Sequence, residues 1–424
     1  MKLPRMLLVG QKFEDRRLKD VPGEVQRELS AANFGAGLAP GSTVAIGVGS
    51  RGISNISTIV RAVVDYWKSR GFVPFIFPAM GSHGAATAEG QTDVLAHYGI
   101  TPETMGCELR SSLEVISLGK TPEGIEVFLD KYASEAGGVF LCGRVKQHTD
   151  FAGEIESGLY KMMAIGLGKW AGAKNYHMNA RRMGLEAVIR SVGRQVRGSG
   201  KILGGLAILE DAFHNTAKLA AVHSADMEQR EKELLALSKT WAATLPCDLD
   251  LLIVDEMGKI FSGAGMDTKV VNRGVDGEIN PWPLPHVERI FVRGLSDQSY
   301  GNASGIGMAE VITDRLAQAI DNNATWLNVL TATTPRCGKL PIHFATDREC
   351  IERIVPTLGK PNFEEVRIGW IANTLALSPM GLSENMRAEI EANPRLEILE
   401  EAHELPFGAD DNLPLDAFHL AAAH

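Results

Sequence analysis

Three apolar runs in the first third of this chain each stop at a small polar loop, and each loop holds one residue able to do chemistry. Residues 42–49 run into Ser50-Arg51-Gly52, residues 73–77 into Gly81-Ser82-His83-Gly84, and residues 138–142 into Lys146-Gln147-His148-Thr149-Asp150. Unbroken apolar runs between turn residues read as strands covered on both faces. Amphipathic stretches separate them. Ile56, Ile59, Val60, Val63, Val64 and Trp67 recur at three- and four-residue steps, so residues 54–70 read as a helix, with Ser54 or Asn55 as its cap and Gly71 as its stop. Residues 86–98 read as a second helix, closed by Gly99. Alternating strands and helices imply βαβ units and a parallel sheet. Ligands of such sheets sit beyond the carboxyl ends of the strands. The expectation is that Arg51, His83 and His148 converge there, as an anion-binding group and two proton carriers on loops held by a rigid sheet.

The alternation continues and then restarts. Residues 107–133 are less regular and read as an antiparallel addition. Residues 179–197 read as a long helix, 202–209 as a strand and 227–245 as a helix with a charged face. A second block opens at Asp248-Leu-Asp-Leu-Leu-Ile-Val-Asp255, with strands over 289–292 and 366–372 and a helix over 306–320. The fold class is therefore α/β: two α/β domains with largely parallel sheets and an active-site crevice between them. Residues 1–247 form the cofactor-binding domain in this reading, and residues 248–424 close over the site.

Bulk properties exclude some functions. A net charge of −9 argues against a general nucleic-acid binder, which needs a basic face. No run approaches the roughly 20 apolar residues of a membrane span, and the apolar stretch at the amino terminus is too short for a signal peptide. Cys107, Cys142, Cys247, Cys337 and Cys350 are scattered with no CxxC pair. That pattern fits a reducing, cytoplasmic setting and gives no disulfide or structural zinc framework.

The most specific segment spans residues 148–177. It reads His148-Thr-Asp-Phe-Ala-Gly-Glu-Ile-Glu-Ser-Gly-Leu-Tyr-Lys161, then Met-Met-Ala-Ile-Gly-Leu-Gly-Lys169, then Asn175-Tyr-His177. It resembles the nickel-dependent lactate racemase family. Members carry a His-x-x-x-Gly loop, a Ser-Gly-x-x-Lys element and a second His sixteen residues beyond that Lys; here Ser157-Gly158-Leu159-Tyr160-Lys161 fits the element and His177 has that spacing. The Gly81-Ser82-His83 turn and Arg51 at the end of the first run match further family positions.

The resemblance implies a cofactor, a nickel-pincer nucleotide that holds the metal through one carbon and two sulfurs and is joined to a lysine through a thioamide. Lys161 would be the tether and His177 the protein ligand to nickel, with Lys169 a rival tether at the wrong spacing. His83 and His148 would flank the substrate as acid and base, and Arg51 would help bind cofactor and substrate. The implied reaction is racemisation or epimerisation of a 2-hydroxy acid by hydride removal from C2 and return to either face. Imidazole suits the accompanying proton transfer because its pKa lies near neutrality. The implied partners are that small molecule and the proteins that build the cofactor.

The chain also departs from the family. Val48 stands where the racemases have an acidic residue, and the stretch from His148 to Lys161 is three residues longer. Gln298, in Gly294-Leu-Ser-Asp-Gln298-Ser-Tyr, matches a substrate-binding Gln, but Gly301 stands where the family has a Lys. Lys259 is a candidate replacement for that cation. These departures point to a 2-hydroxy acid other than lactate, larger or polyhydroxylated. Two other readings stay open: a nicotinamide-dependent dehydrogenase, weakened by the lack of a clean GxGxxG after the first strand, and a cofactor-free binding protein on the same fold.

Overall fold

The computed structural model describes residues 1–49, 52–149 and 151–415. In chain order its strands are β1 (Met6–Gln11), β2 (Thr43–Val48), β3 (Val73–Pro78), β4 (Val115–Lys120), β5 (Glu126–Asp130), β6 (Gly138–Arg144), β7 (Ile202–Glu210) and β8 (Thr216–His223), followed by β9 (Leu249–Met257), β10 (Val287–Leu295), β11 (Val311–Thr313), β12 (Ile342–Phe344), β13 (Ile368–Ile371), β14 (Met380–Ser383) and β15 (Leu396–His403). The chain divides into two compact units, Glu14–Ala242, and Met1–Phe13 together with the chain from Ala243 onward. Each is α/β with a largely parallel sheet, as the alternating pattern predicts. No helix among the described residues is long and apolar enough to cross a membrane.

The sheet of the Glu14–Ala242 unit has the order β3-β2-β6-β7-β8. β3, β2, β6 and β7 are parallel, and β8 returns antiparallel to β7. The unbroken apolar runs have a direct cause. Val44, Ile46, Val48, Ile76, Phe140 and Cys142 enter one core, with the helix Ile56–Ser69. Ala45, Phe75, Phe77, Val139 and Leu141 enter the other, with residues of the helix Leu185–Gly198. Alternate residues thus feed opposite faces, and both faces are covered. Burial pushes the Cys142 thiol up to about 12, so it behaves as an inert apolar side chain.

The other unit holds an eight-stranded sheet, β12-β11-β10-β9-β13-β14-β1-β15. Its first five strands are parallel and the remainder antiparallel. Here the structure corrects the expected boundary. Residues 1–13 belong to this unit and not to the one that follows them in sequence, because β1 inserts between β14 and β15. Strand pairing across more than 370 residues leaves no mark in the local pattern.

Three local expectations also change. The helix expected over 179–197 is two helices, Lys169–Met183 and Leu185–Gly198, parted at Gly184, whose φ of 82° no ordinary helix residue adopts. The helix expected over 306–320 is a short turn, strand β11 and the helix Asp314–Ala319, because Val311 and Ile312 pair with Phe291 and Val292. The charged helix ends at Trp241, short of residue 245. The irregular stretch 107–133 contains the antiparallel β4–β5 hairpin.

Candidate functional site

β2, β3 and β6 end together. Val48 stands opposite both Pro78 and Cys142, so the loops that leave these strands start side by side at one edge of the sheet. Arg51 lies outside the described residues. The stem of its loop is held: the Ser54 N–H donates to Glu210 at the end of β7, and Glu210 also pairs with Arg144 at the end of β6.

The His83 loop folds back on the helix Ala88–His97. Gly84, Ala85 and Ala86 all have left-handed backbones, with φ of 64°, 54° and 53°. For an alanine that conformation costs about 1–2 kcal/mol. Such strain persists only where the surroundings over-determine the chain. The surroundings here are polar and buried. Gln91 donates its amide to the carbonyls of Met80 (3.2 Å), Gly81 (3.1 Å) and His83 (3.3 Å). Lys169 Nζ donates to Gln91 Oε1 (2.7 Å) and to the Pro78 carbonyl (2.8 Å), with Asp130 Oδ2 3.5 Å away. Gln91, Lys169 and Asp130 are all fully buried. Burial holds the Lys169 ammonium below its ordinary pKa and the Asp130 carboxyl above its own; each partner's charge opposes the other's shift.

The His148 loop is closed at its base by a pair of backbone hydrogen bonds between Lys146 and Ser157 (3.0 and 3.2 Å). Inside it, the buried Glu156 accepts from the backbone N–H of His148 and Gly153 and pairs with Lys239. The His148 ring is buried and stacks on Phe151, with centroids 4.5 Å apart. The base of this loop leads straight into the turn Leu159–Lys161. Glu231 caps that turn, one carboxylate oxygen accepting from the Tyr160 N–H at 3.0 Å. Gly158 is glycine because a Cβ there would stand 2.6 Å from the Glu231 carboxyl carbon.

Lys161 is followed at once by a π-helical turn, Met162–Gly166, and then by the helix Lys169–Met183. Widened turns of this kind recur at functional sites. The segment lies directly against the His83 loop. A Cβ on Gly81 would come within 2.9 Å of Ile165 and 3.1 Å of Ala173, and one on Gly166 within 2.8 Å of the Ala79 carbonyl. Ala173 and His177 are four residues apart on this helix, so His177 shares the face that meets this loop. Lys161 and His177 are both half-buried. Tyr176 and Asn175 fasten the same helix to β5 through Phe128 and Glu126.

Lys259 and Gln298 belong to the other unit. They follow β9 and β10, adjacent parallel strands, and the Lys259 N–H donates to Ser299 Oγ at 3.0 Å, which joins the two loops. Lys259 Nζ reaches the Gly263 carbonyl at 2.7 Å, and Gln298 is exposed. Gly301 has a φ of 75°, and a Cβ would stand 2.7 Å from that of Asp321. A side chain therefore has no room at Gly301 unless Asp321 shifts.

Among the described residues no group of three or more His, Cys, Asp or Glu side chains is placed to hold a metal ion. A nucleotide that brings its own carbon and sulfur donors asks the protein for one imidazole and one amine. His177 and Lys161, both half-buried, are side chains of those two kinds, on neighbouring helical elements parted by the turn at Leu167 and Gly168. Lys169 is fully buried and engaged with Gln91 and the Pro78 carbonyl. Sequence reading missed Gln91, Asp130, Glu156 and Glu231. Their only advance signal is a polar residue at a position where the helix or loop faces inward.

The geometry is that of an α/β protein with polar loops that start side by side at the carboxyl edge of one parallel sheet. No protein-family model and no curated protein sequence matches the chain. Solved structures share its fold, two of which are these. A protein from Thermotoga maritima is 12% identical with a TM-score of 0.51, over 87% of this chain and 99% of its own. The lactate racemase apoprotein from Thermoanaerobacterium thermosaccharolyticum is 13% identical with a TM-score of 0.51, over 88% of this chain and 99% of its own.

Proposed function

We propose that this chain is an isomerase, a racemase or epimerase of a 2-hydroxy acid bulkier or more hydroxylated than lactate. The reading is carried by one observation: the His83 loop packs through Gly81 on the same segment that bears Lys161 and His177. The shared fold with a lactate racemase apoprotein supports it. In this reading Lys161 holds a nickel-pincer nucleotide covalently and His177 supplies the imidazole to its metal. When bound, that group would supply a hydride acceptor and donor for C2. The chain's own residues do the rest. Arg51 binds anionic groups. His83 and His148 take and return the hydroxyl proton, one for each enantiomer, since the hydroxyl occupies different positions in the two. Glu156 and the stacked Phe151 hold the His148 loop and ring, so that base is pre-oriented.

The test is to produce the protein alongside the cofactor-synthesis proteins and measure intact mass, nickel content and interconversion of 2-hydroxy acid enantiomers. Added mass should map to Lys161 and be absent in Lys161→Ala. His177→Ala should lower nickel retention. His83→Ala and His148→Ala should each lose about 10²–10⁴-fold in turnover. Deuterium at C2 should stay in the product; its rapid loss to solvent would overturn the hydride reading.

A further inference from the structure

We infer that the buried Gln91–Lys169 pair holds the Gly81-Ser82-His83 loop in its working conformation, so that both are positioning residues for His83. The inference rests on the proposed role of His83. Four carbonyls, those of Pro78, Met80, Gly81 and His83, turn inward onto two side chains that are themselves fully buried. One amide serving three carbonyls within four residues fixes the path of that stretch more tightly than a turn's own hydrogen bonds. The adjacent Lys169 ammonium polarises the Gln91 amide and strengthens it as a donor.

The surroundings over-determine the loop in two further ways. Gly84 and Gly90 are in such close contact that a Cβ on either would collide with the other's backbone. Thr87 Oγ1 receives the Gly90 N–H at 3.0 Å and fixes the start of the next helix. Two consecutive left-handed alanines, Ala85 and Ala86, sit between these anchors. A loop strained in this way relaxes once its anchors are removed. Lys169 also belongs to the helix that carries His177, so one side chain links the position of that helix to the shape of the His83 loop.

Gln91→Glu separates the roles. The carboxylate keeps its pairing with Lys169, but its second oxygen faces three carbonyl oxygens and no longer donates. Gln91→Leu removes both functions, and Lys169→Met removes the cation. Amide exchange measured by mass spectrometry on the unloaded protein should speed up roughly ten-fold or more over residues 79–87 in Gln91→Glu, while the rest of the unit keeps its protection. In the loaded enzyme kcat should fall about 10²-fold with little change in KM. In a His83→Ala background the same substitution should cost almost nothing further, since its effect passes through His83. Unchanged exchange over residues 79–87 in both Gln91 variants would overturn the inference, and so would full additivity with His83→Ala. Should Lys169→Met fail to fold, the Gln91 pair still decides the matter. Full activity in His83→Ala alone would instead refute the catalytic reading, and the exchange arm would still decide what holds the loop.

Discussion

Glu231 offers a test of whether the turn bearing Lys161 is built as described. Its carboxyl is fully buried, and one oxygen takes the Tyr160 N–H. Burial pushes its pKa up from 4.5 to about 7, opposed by the backbone N–H groups of Tyr160 and Leu159. The sign follows from proton uptake. Between those two values the native state keeps a proton that the unfolded chain has released. The contribution to stability is therefore fully present below the unfolded pKa and is lost as pH rises through the folded one. For a shift of this size the loss between about pH 5 and pH 8 comes to about 2–3 kcal/mol. Glu231→Gln removes the titration, and its amide oxygen can still accept from Tyr160. The stability of the variant relative to the parent should thus climb by that amount over the same interval, whatever offset the lone amide N–H introduces. Native-state hydrogen exchange of the β6 and β7 amides reads the free energy of this unit without interference from the other. Profiles that stay parallel to within about 0.5 kcal/mol would refute the reasoning. They would mean that the carboxylate reaches water or a cation.

The other predictions turn on the same kind of accounting. Lys169→Met should destabilise the Glu14–Ala242 unit by about 3–5 kcal/mol, because it strands buried Asp130 and Gln91; Lys161→Ala, at a half-buried position, should change unfolding far less, and equal losses in denaturant titrations would contradict the assignment. Gly301→Lys should cost at least about 1–3 kcal/mol through the clash with Asp321; a crystal structure with that lysine on an unmoved backbone would count against it. Asp255→Ala should strongly destabilise the second unit, about 3–5 kcal/mol by calorimetry, since fully buried Arg293 loses one of its two carboxylate partners among the described residues and the hydrogen bond from Trp370 Nε1 to Asp255 is removed. A shift of less than about 1 kcal/mol would show that the buried network tolerates a missing charge.

The alternation that placed β2, β3 and β6 was legible because a strand covered on both faces writes its burial into consecutive residues. Ala45 and Ile46 serve opposite cores, yet both must be apolar. The turn residues after each run marked where the strands end, and parallel pairing then required His83 and His148 to share an edge. The Ser-Gly-x-x-Lys frame was equally visible, although the physical reason for its glycine, the carboxylate of Glu231, was not. Long-range partners were invisible. Nothing near Met6–Gln11 announces a pairing with β14 and β15. Lys169 looked like a rival for Lys161 because the sequence shows a lysine's presence and spacing but not its depth. Its burial against Gln91 and Asp130 joins three segments far apart in the chain. Apolar periodicity is a local consequence of burial, and so the sequence by itself determined β2, β3 and β6, the loops that leave them and the helices between β2 and β3 and after β3. Which polar groups share a buried network depends on where distant segments meet, and only the tertiary structure decided that.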